Sequence, residues 1–272
     1  MSLTKKIDFA VIIGVNNANP NGDPLNGNRP RTNYEGLGEI SDVCLKRKIR
    51  NRLLDAGEAI LVQSDDYRND NFRSIKARYD AHMAHLSKSK DTEEKAAAAC
   101  RTWYDVRAFG QVFAGVDDTS ASIAVRGPVS IQSAFSKEPV DVTSMQIVKS
   151  VNLTTNTKDP SSKSSDTMGM KHRVDHGIYV TYGSINRQLA EKTGFSDQDA
   201  DKLKNILQCL FENDESSARP GGSMEIIKVI WWTHGEATLP SAKVHHNLAV
   251  NPDGTYTIFP LAGVTVEEID GI

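Results

Sequence analysis

Apolar and polar positions change period along the chain, and each change marks an element. "KIDFAVIIGV" (Lys6 to Val15) is a short, β-branched apolar run, the pattern of a buried strand. A loop rich in Gly, Pro and Asn follows, "NPNGDPLNGNRPRTNYEG" from Asn19 to Gly36, with almost nothing to bury. In "SDVCLKRKIRNRLLDAG", Ser41 stands where an N-cap belongs, Leu45, Ile49 and Leu53 recur at helical spacing, and Gly57 supplies the stop. On a helical wheel Leu45, Ile49, Leu53 and Ala56 form the inward arc. Lys46 and Arg50 flank one side of that arc, and Lys48 and Arg52 flank the other. "AILVQ" (Ala59 to Gln63) has the composition of a short strand.

From Asp65 to Tyr104 the pattern is helical and strongly polar, which reads as a helical insertion outside the core. Asp105 to Gly115 and Ala121 to Phe135 return to the strand period. Ser136 to Arg173 then reads as an extended hairpin, because its Ser/Thr/Lys-rich middle, Thr154 to Asp166, cannot bury a core. Val174 to Ile185 is a further strand. Ser196 and Asp199 form a capping-box-like start to a helix through "ADKLKNILQCLF", and "SMEIIKVIWWTH" (Ser223 to His234) is the last strong strand. Without 65–104 and 136–173 the order is strand, helix, strand, strand, helix, strand. This βαββαβ order predicts an α+β fold of the ferredoxin-like, RRM-like kind, built from 1–64, 105–135 and 174–272.

Composition narrows the setting. A chain of 272 residues, 39% hydrophobic and 25% charged, is ordinary for one elaborated globular domain and excludes a disordered chain or a fibre. The longest apolar run, Phe9 to Val15, is far short of the ~20 residues that cross a bilayer, and Met1 to Phe9 lacks a signal-peptide pattern. A cytoplasmic location without a membrane partner is expected. Cys44, Cys100 and Cys209 are widely scattered with no CxxC pair, so reduced thiols are expected and no zinc site. The net charge of −3 conceals an uneven distribution: Lys46, Arg47, Lys48, Arg50 and Arg52 fall together, while Glu191 to Glu215 holds seven acids against three lysines.

Most candidate chemistries fail on spacing. His172 and His176 in "HRVDH" lack the Glu of a zincin helix and sit beside Arg173 in a strand-like run, while adjacent His245 and His246 would point to opposite faces of a strand. No metal is expected. There is no nucleophile elbow, and the glycines of the 19–36 loop match no nucleotide-phosphate motif, so no cofactor is expected. Asp23 in "NGDPLNG" is a turn-forming Asp before Pro, or else the one acid in that loop placed to act as a general acid or metal ligand. RNA binding gathers more support. A helix start at Ser41 offers amides and a favourable dipole to a phosphate chain, Lys46 and Arg50 stand at its rim, and Arg29 and Arg31 add to the same surface. The aromatic RNP1 pattern is absent, so recognition should follow the backbone.

The motifs "ISDVCLKRKIRN", "DVRAFGQVF", "RGPVSIQSAF", "KHRVDHGIYVTYGSIN" and "ARPGGSMEIIKVIWWTH", taken in order, resemble the repeated backbone subunit of CRISPR Cascade complexes, a member of the RAMP superfamily, most of all in its type I-C form. The resemblance covers nearly the whole chain. It implies a non-enzymatic protein with an RRM-like palm, helical fingers over 65–104 and a thumb hairpin over 136–173. Copies of it would polymerise along the spacer of a guide RNA (crRNA) and present the guide for pairing with target DNA. The implied partners are crRNA, target DNA, further copies of the chain, the large, small and crRNA-processing subunits, and a recruited helicase-nuclease. The family's basic first-helix motif falls on Ser41, Lys46, Arg47 and Arg50, which implies a grip on guide phosphates. Its FGRM-like turn falls on Phe109, Gly110, Gln111 and Val112, with Gln and Val in place of Arg and Met, where an apolar side chain props a displaced base. In the thumb, local chemistry offers Met168 and Met170 as wedges and Lys163 or Lys171 as phosphate contacts; hairpin packing and solubility are the plainer readings of the same residues. Related type III subunits cleave target RNA with an Asp in the loop after the first strand, which makes Asp23 the residue that separates the two alternatives.

Overall fold

The computed structural model describes residues 2–87, 89–114, 122–148, 150–151 and 168–272. Lys163 and the middle of the hairpin lie outside them. In chain order the elements are β1 (Ile7–Ala18), β2 (Gly22–Asp23), β3 (Arg29–Pro30), β4 (Leu37–Ile40), α1 (Asp42–Asp55), α2 (Ile75–His82), α3 (Thr92–Thr102), α4 (Tyr104–Phe109), β5 (Gly110–Phe113), β6 (Ile123–Arg126) and β7 (Val129–Ile131). They continue with β8 (Ala134–Pro139), β9 (Val142–Val148), β10 (Met168–Ile185), α5 (Arg187–Thr193), α6 (Asp197–Gln208), β11 (Met224–His234), α7 (Ser241–His245), β12 (Leu248–Val250), β13 (Tyr256–Ile258) and β14 (Val264–Asp270).

One antiparallel sheet organises the molecule, in the order β14-β11-β1-β10-β8-β4, with β7 and β9 also paired to β10. Its centre is β1, and the apolar run there is continuous because both of its faces are covered. Phe9, Val11, Ile13 and Val15 meet Leu45, Ile49 and Leu53 of α1 and Leu203, Ile206 and Leu207 of α6. Ala10 and Ile12, on the opposite face, pack with Ile230, Trp232, Val244 and Leu248 under the segment 235–263. Both helices start as their sequences require. Ser41 Oγ caps α1, and Ser196 and Asp199 complete a capping box on α6. Gly57 follows α1 with φ of +82°, as a stop residue should.

Several sequence expectations are corrected. "AILVQ" is not a strand: the Leu61 and Val62 amides donate to the buried Asp105 carboxylate at 2.8 and 3.1 Å, so they are withdrawn from any ladder. Asp105 to Phe109 is helical, and strand geometry begins only at Gly110. The 65–104 region is not merely a polar appendage. Tyr79, Met83, Ala99, Cys100 and Trp103 build a small core of their own with Leu61, Phe113 and Ile123. Ala56 lies exposed past the end of α1, and Lys48 takes a buried position. His245 ends the short helix α7 and is buried, so it does not alternate with His246 along a strand.

Candidate nucleic-acid interface

The N-terminal end of α1 faces a groove of about 750 Å³ whose walls are the 19–36 loop, α1 itself and the loop that precedes β11. The 19–36 loop is ordered by its own polar side chains. Asn21 Oδ1 accepts from Ser41 N at 2.9 Å and from Ser41 Oγ at 2.7 Å, and Asn19 Nδ2 donates to the Asn28 carbonyl at 2.7 Å. Asn28 has φ of +61°, a left-handed conformation that Asn tolerates better than most residues. Two of the helix-start amides are already engaged, Asp42 N by Ser133 Oγ and Cys44 N by Ser41 Oγ, each at 3.3 Å. Phosphate attraction at this end therefore depends more on side-chain cations than on backbone donors.

Those cations differ in what they are free to do. Arg31, Arg47, Lys48 and Arg219 line the groove, opposed by Asp66 and Asp214. Asp214 pairs with Lys48 and, at 2.9 Å, with Arg219 Nε. Arg47 donates through Nη1 to the Val62 carbonyl at 2.8 Å. Burial, followed by the repulsion of Arg50, holds the Arg47 guanidinium below the usual arginine range. Arg31 stands at the rim with its nearest acid, Asp23, 3.5 Å away. Lys46 reaches back to Asp42 at 2.9 Å and is half-exposed. Arg50 is turned inward. Its Nε meets Asp105 at 2.9 Å and its guanidinium lies 5.2 Å from the Phe109 ring centre, so the expectation of a rim residue is corrected.

Asp23 caps the turn after Pro24: its side chain accepts from Leu25 N at 3.2 Å. This is the turn-forming arrangement, with Arg31 as its charged neighbour.

A second cavity of about 410 Å³ lies on the other side of the 19–36 loop, under the β9–β10 hairpin, and is lined in part by Asn19, Asn28, Ile147, Met170, Lys171 and His172. Arg29 ties the loop to this hairpin, with Nη1 2.8 Å from Ser144 Oγ, which is also 2.8 Å from His172 Nδ1. Met168 and Met170 occupy one side of β10 and are 67% and 55% exposed, so they do not pack the hairpin closed. Phe109 packs against the main core. Gly110 has φ of +81°, and a Cβ there would lie 2.4 Å from the Val125 carbonyl oxygen, which explains the glycine. Gln111 and Val112 follow on β5, with Val112 exposed, and neither lines the two cavities. His172 and His176 are engaged by Ser144 and Asn16. Among the described residues no cluster of His, Cys, Asp or Glu suits a metal ion, and no helix is long and apolar enough to cross a membrane.

Asn21, Ser144 and Arg219 were not singled out from the sequence. Asn21 had a legible signal, as one more Asx in a loop leading to a cap. Ser144 and Arg219 had none: Ser144 meets Arg29 and His172, far from it in the chain, and Arg219 reaches the groove only because the loop before β11 folds beside α1.

The family model described as "CRISPR-associated protein Cas7" matches residues 5–262. The chain belongs to the Cas7 family. It is 25% identical over 231 residues to a CRISPR-associated protein Cas7 of Haloferax volcanii, covering 80% of this chain and 67% of that one. Its fold is similar to a chain of a solved "CRISPR RNA-guided surveillance complex, pre-nicking", with a TM-score of 0.55 at 16% identity, covering 88% of this chain and 81% of the other.

Proposed function

We propose that this Cas7-family chain is the guide-RNA-binding backbone subunit of a CRISPR RNA-guided surveillance complex of type I-C, acting as a binding protein and not as a nuclease. The observation that carries the reading is one surface. The capped end of α1, the rim cation Arg31, the half-buried Arg47 and the apolar, exposed Met170 border two cavities on either side of a single loop, and Met168 stands exposed on the same side of β10 as Met170. Cations beside a helix N-terminus suit a phosphate backbone, and exposed apolar side chains suit the faces of bases. Lys46 and Lys171 would extend the phosphate track, and Arg29, by fixing the hairpin to the loop, would hold the two halves of the surface in register. Arg50 supports the site from below by bracing Asp105. Ser41 would act through its capped helix end, and Phe109 to Val112 would meet the next stretch of guide or the adjoining copy.

The strand order β11-β1-β10-β7/β8, with α1 and α6 on one face, supports the ferredoxin-like reading of the palm. In an RRM the open sheet face stacks bases. Here that face lies under 235–263, which favours recognition of the RNA backbone from the edge. Copies of the chain, target DNA paired to the guide, and the large, small and crRNA-processing subunits are the partners this role requires, with a helicase-nuclease joining the assembled complex. The test is purification from cells that make a guide RNA. The expected product is an oligomer with RNA protected at uniform spacing; RNA-free monomers at every concentration would reject the proposal.

A further inference from the structure

A buried polar cluster that the groove and hairpin do not use lies on the sheet face opposite α1 and α6. Asp8 of β1 and His234 at the end of β11 are both fully buried, and His234 Nε2 lies 2.6 Å from Asp8 Oδ2. The tautomer follows from the other ring nitrogen. Leu239 N–H donates to His234 Nδ1 at 3.2 Å, so Nδ1 carries a lone pair and Nε2 carries the proton that Asp8 accepts. Lys6 lies 3.2 Å from the same Asp8 oxygen and donates to the Leu239 carbonyl at 2.5 Å. Both backbone groups of Leu239 are thus held by this cluster.

A second histidine enters from α7. His245 Nε2 donates to the Gly183 carbonyl at 3.1 Å and stands 3.7 Å from Asp8 Oδ1, a buried oxygen with no hydrogen-bond partner among the described residues. Its ring packs 4.9 Å from Tyr182 and 6.3 Å from Trp232. Around the pair, the charged and titratable groups among the described residues are Lys6 just before β1, Asp8 on β1, Tyr182 on β10, and His246 just after α7.

We propose that residues 235–263 are a proton-sensitive cover, latched over the sheet through His234 and His245 and released when the buried His245 ring gains a proton, which bares Ala10, Ile12, Ile178, Val180, Ile230 and Trp232. A proton on His245 would place a charge on a buried ring that packs against Tyr182 and Trp232. Burial pushes His245 below the ordinary histidine value, against the opposing pull of Asp8. The sign follows: a histidine buried in its neutral form stabilises the closed cover above its unfolded pKa, and that contribution is lost as pH falls through the lower folded value.

The test is hydrogen exchange of the intact chain at pH 7.5 and at about 5.5, corrected for intrinsic rates, followed by peptide. Protection over 235–250 is expected to fall by about tenfold for each pH unit per proton taken up, while α1 and α6 keep theirs. Equal protection at the two pH values, or a loss spread evenly over α1 and α6, overturns the proposal. The variants His245→Gln and His234→Gln/His245→Gln should flatten the response. An unchanged pH response in a folded variant also overturns it. The wild-type series is decisive even if the double variant does not fold. None of these readouts involves RNA, so the result is independent of the proposed binding role.

Discussion

Single residues on this chain separate into those that hold the fold and those that are left for a ligand. Gly38 belongs to the first group. A Cβ there would lie 2.2 Å from the Tyr179 hydroxyl, in a buried spot where Gly38 N donates to Ser136 Oγ. Gly38→Ala is expected to cost about 1–3 kcal/mol in urea unfolding. Adding Tyr179→Phe should recover part of that, because the hydroxyl has no partner among the described residues. Arg50 and Arg47 stand three positions apart on α1 and are expected to behave oppositely. Arg50→Ala strips the buried Asp105 of its cation, an expected loss of about 3 kcal/mol read by thermal unfolding. Arg31→Ala/Arg47→Ala should instead lower the salt dependence of single-stranded RNA binding by about 1.4 in log–log slope, at ~0.7 per phosphate contact. An unaltered slope would remove both residues from the interface.

The β9–β10 hairpin is regular where the register pairs Met168 with Val148 and Met170 with Gln146, yet Met168, Met170 and Val148 are more than half exposed. A strand pair that exposes Met and Val in this way leaves an apolar surface for a partner to cover. Met168→Ser/Met170→Ser should leave unfolding free energy within about 0.5 kcal/mol of the parent. RNA affinity should fall by ~1 kcal/mol, about fivefold in Kd by fluorescence anisotropy. Unimpaired binding would return the two methionines to the role of surface filler. The strands and capped helices of the sheet were legible because period, N-caps and Gly57 are local signals. "AILVQ" misled because a single carboxylate 43 and 44 residues further on, that of Asp105, claims the Val62 and Leu61 amides.

At the scale of the whole molecule, both faces of the central sheet are covered, by α1 and α6 on one side and by 235–263 on the other. What remains for a nucleic acid is the edge where the 19–36 loop, α1 and the hairpin meet. Asp23 lies on that edge, but its carboxylate is engaged by Leu25 N, with Arg31 nearby. Asp23→Ala is expected to leave both RNA affinity and the integrity of bound RNA unchanged. If the parent cuts target RNA with a divalent metal and the variant does not, the chain is a nuclease of the type III kind.

The sequence alone determined the main strands, the two capped helices, the hairpin arms and the order in which they occur. Each of these is set by interactions within a few residues, through side-chain period, caps and turns. Tertiary structure alone decided which cations face the groove and how the second face of the sheet is closed. The partners concerned are distant in the chain: Arg50 with Asp105, Lys48 with Asp214, and His234 and His245 with Asp8. A charged or polar side chain looks the same in a linear pattern whether it is solvated or buried. Desolvation makes burial tolerable only where an opposite charge or a hydrogen-bond partner is brought beside it, and that meeting is a property of the fold.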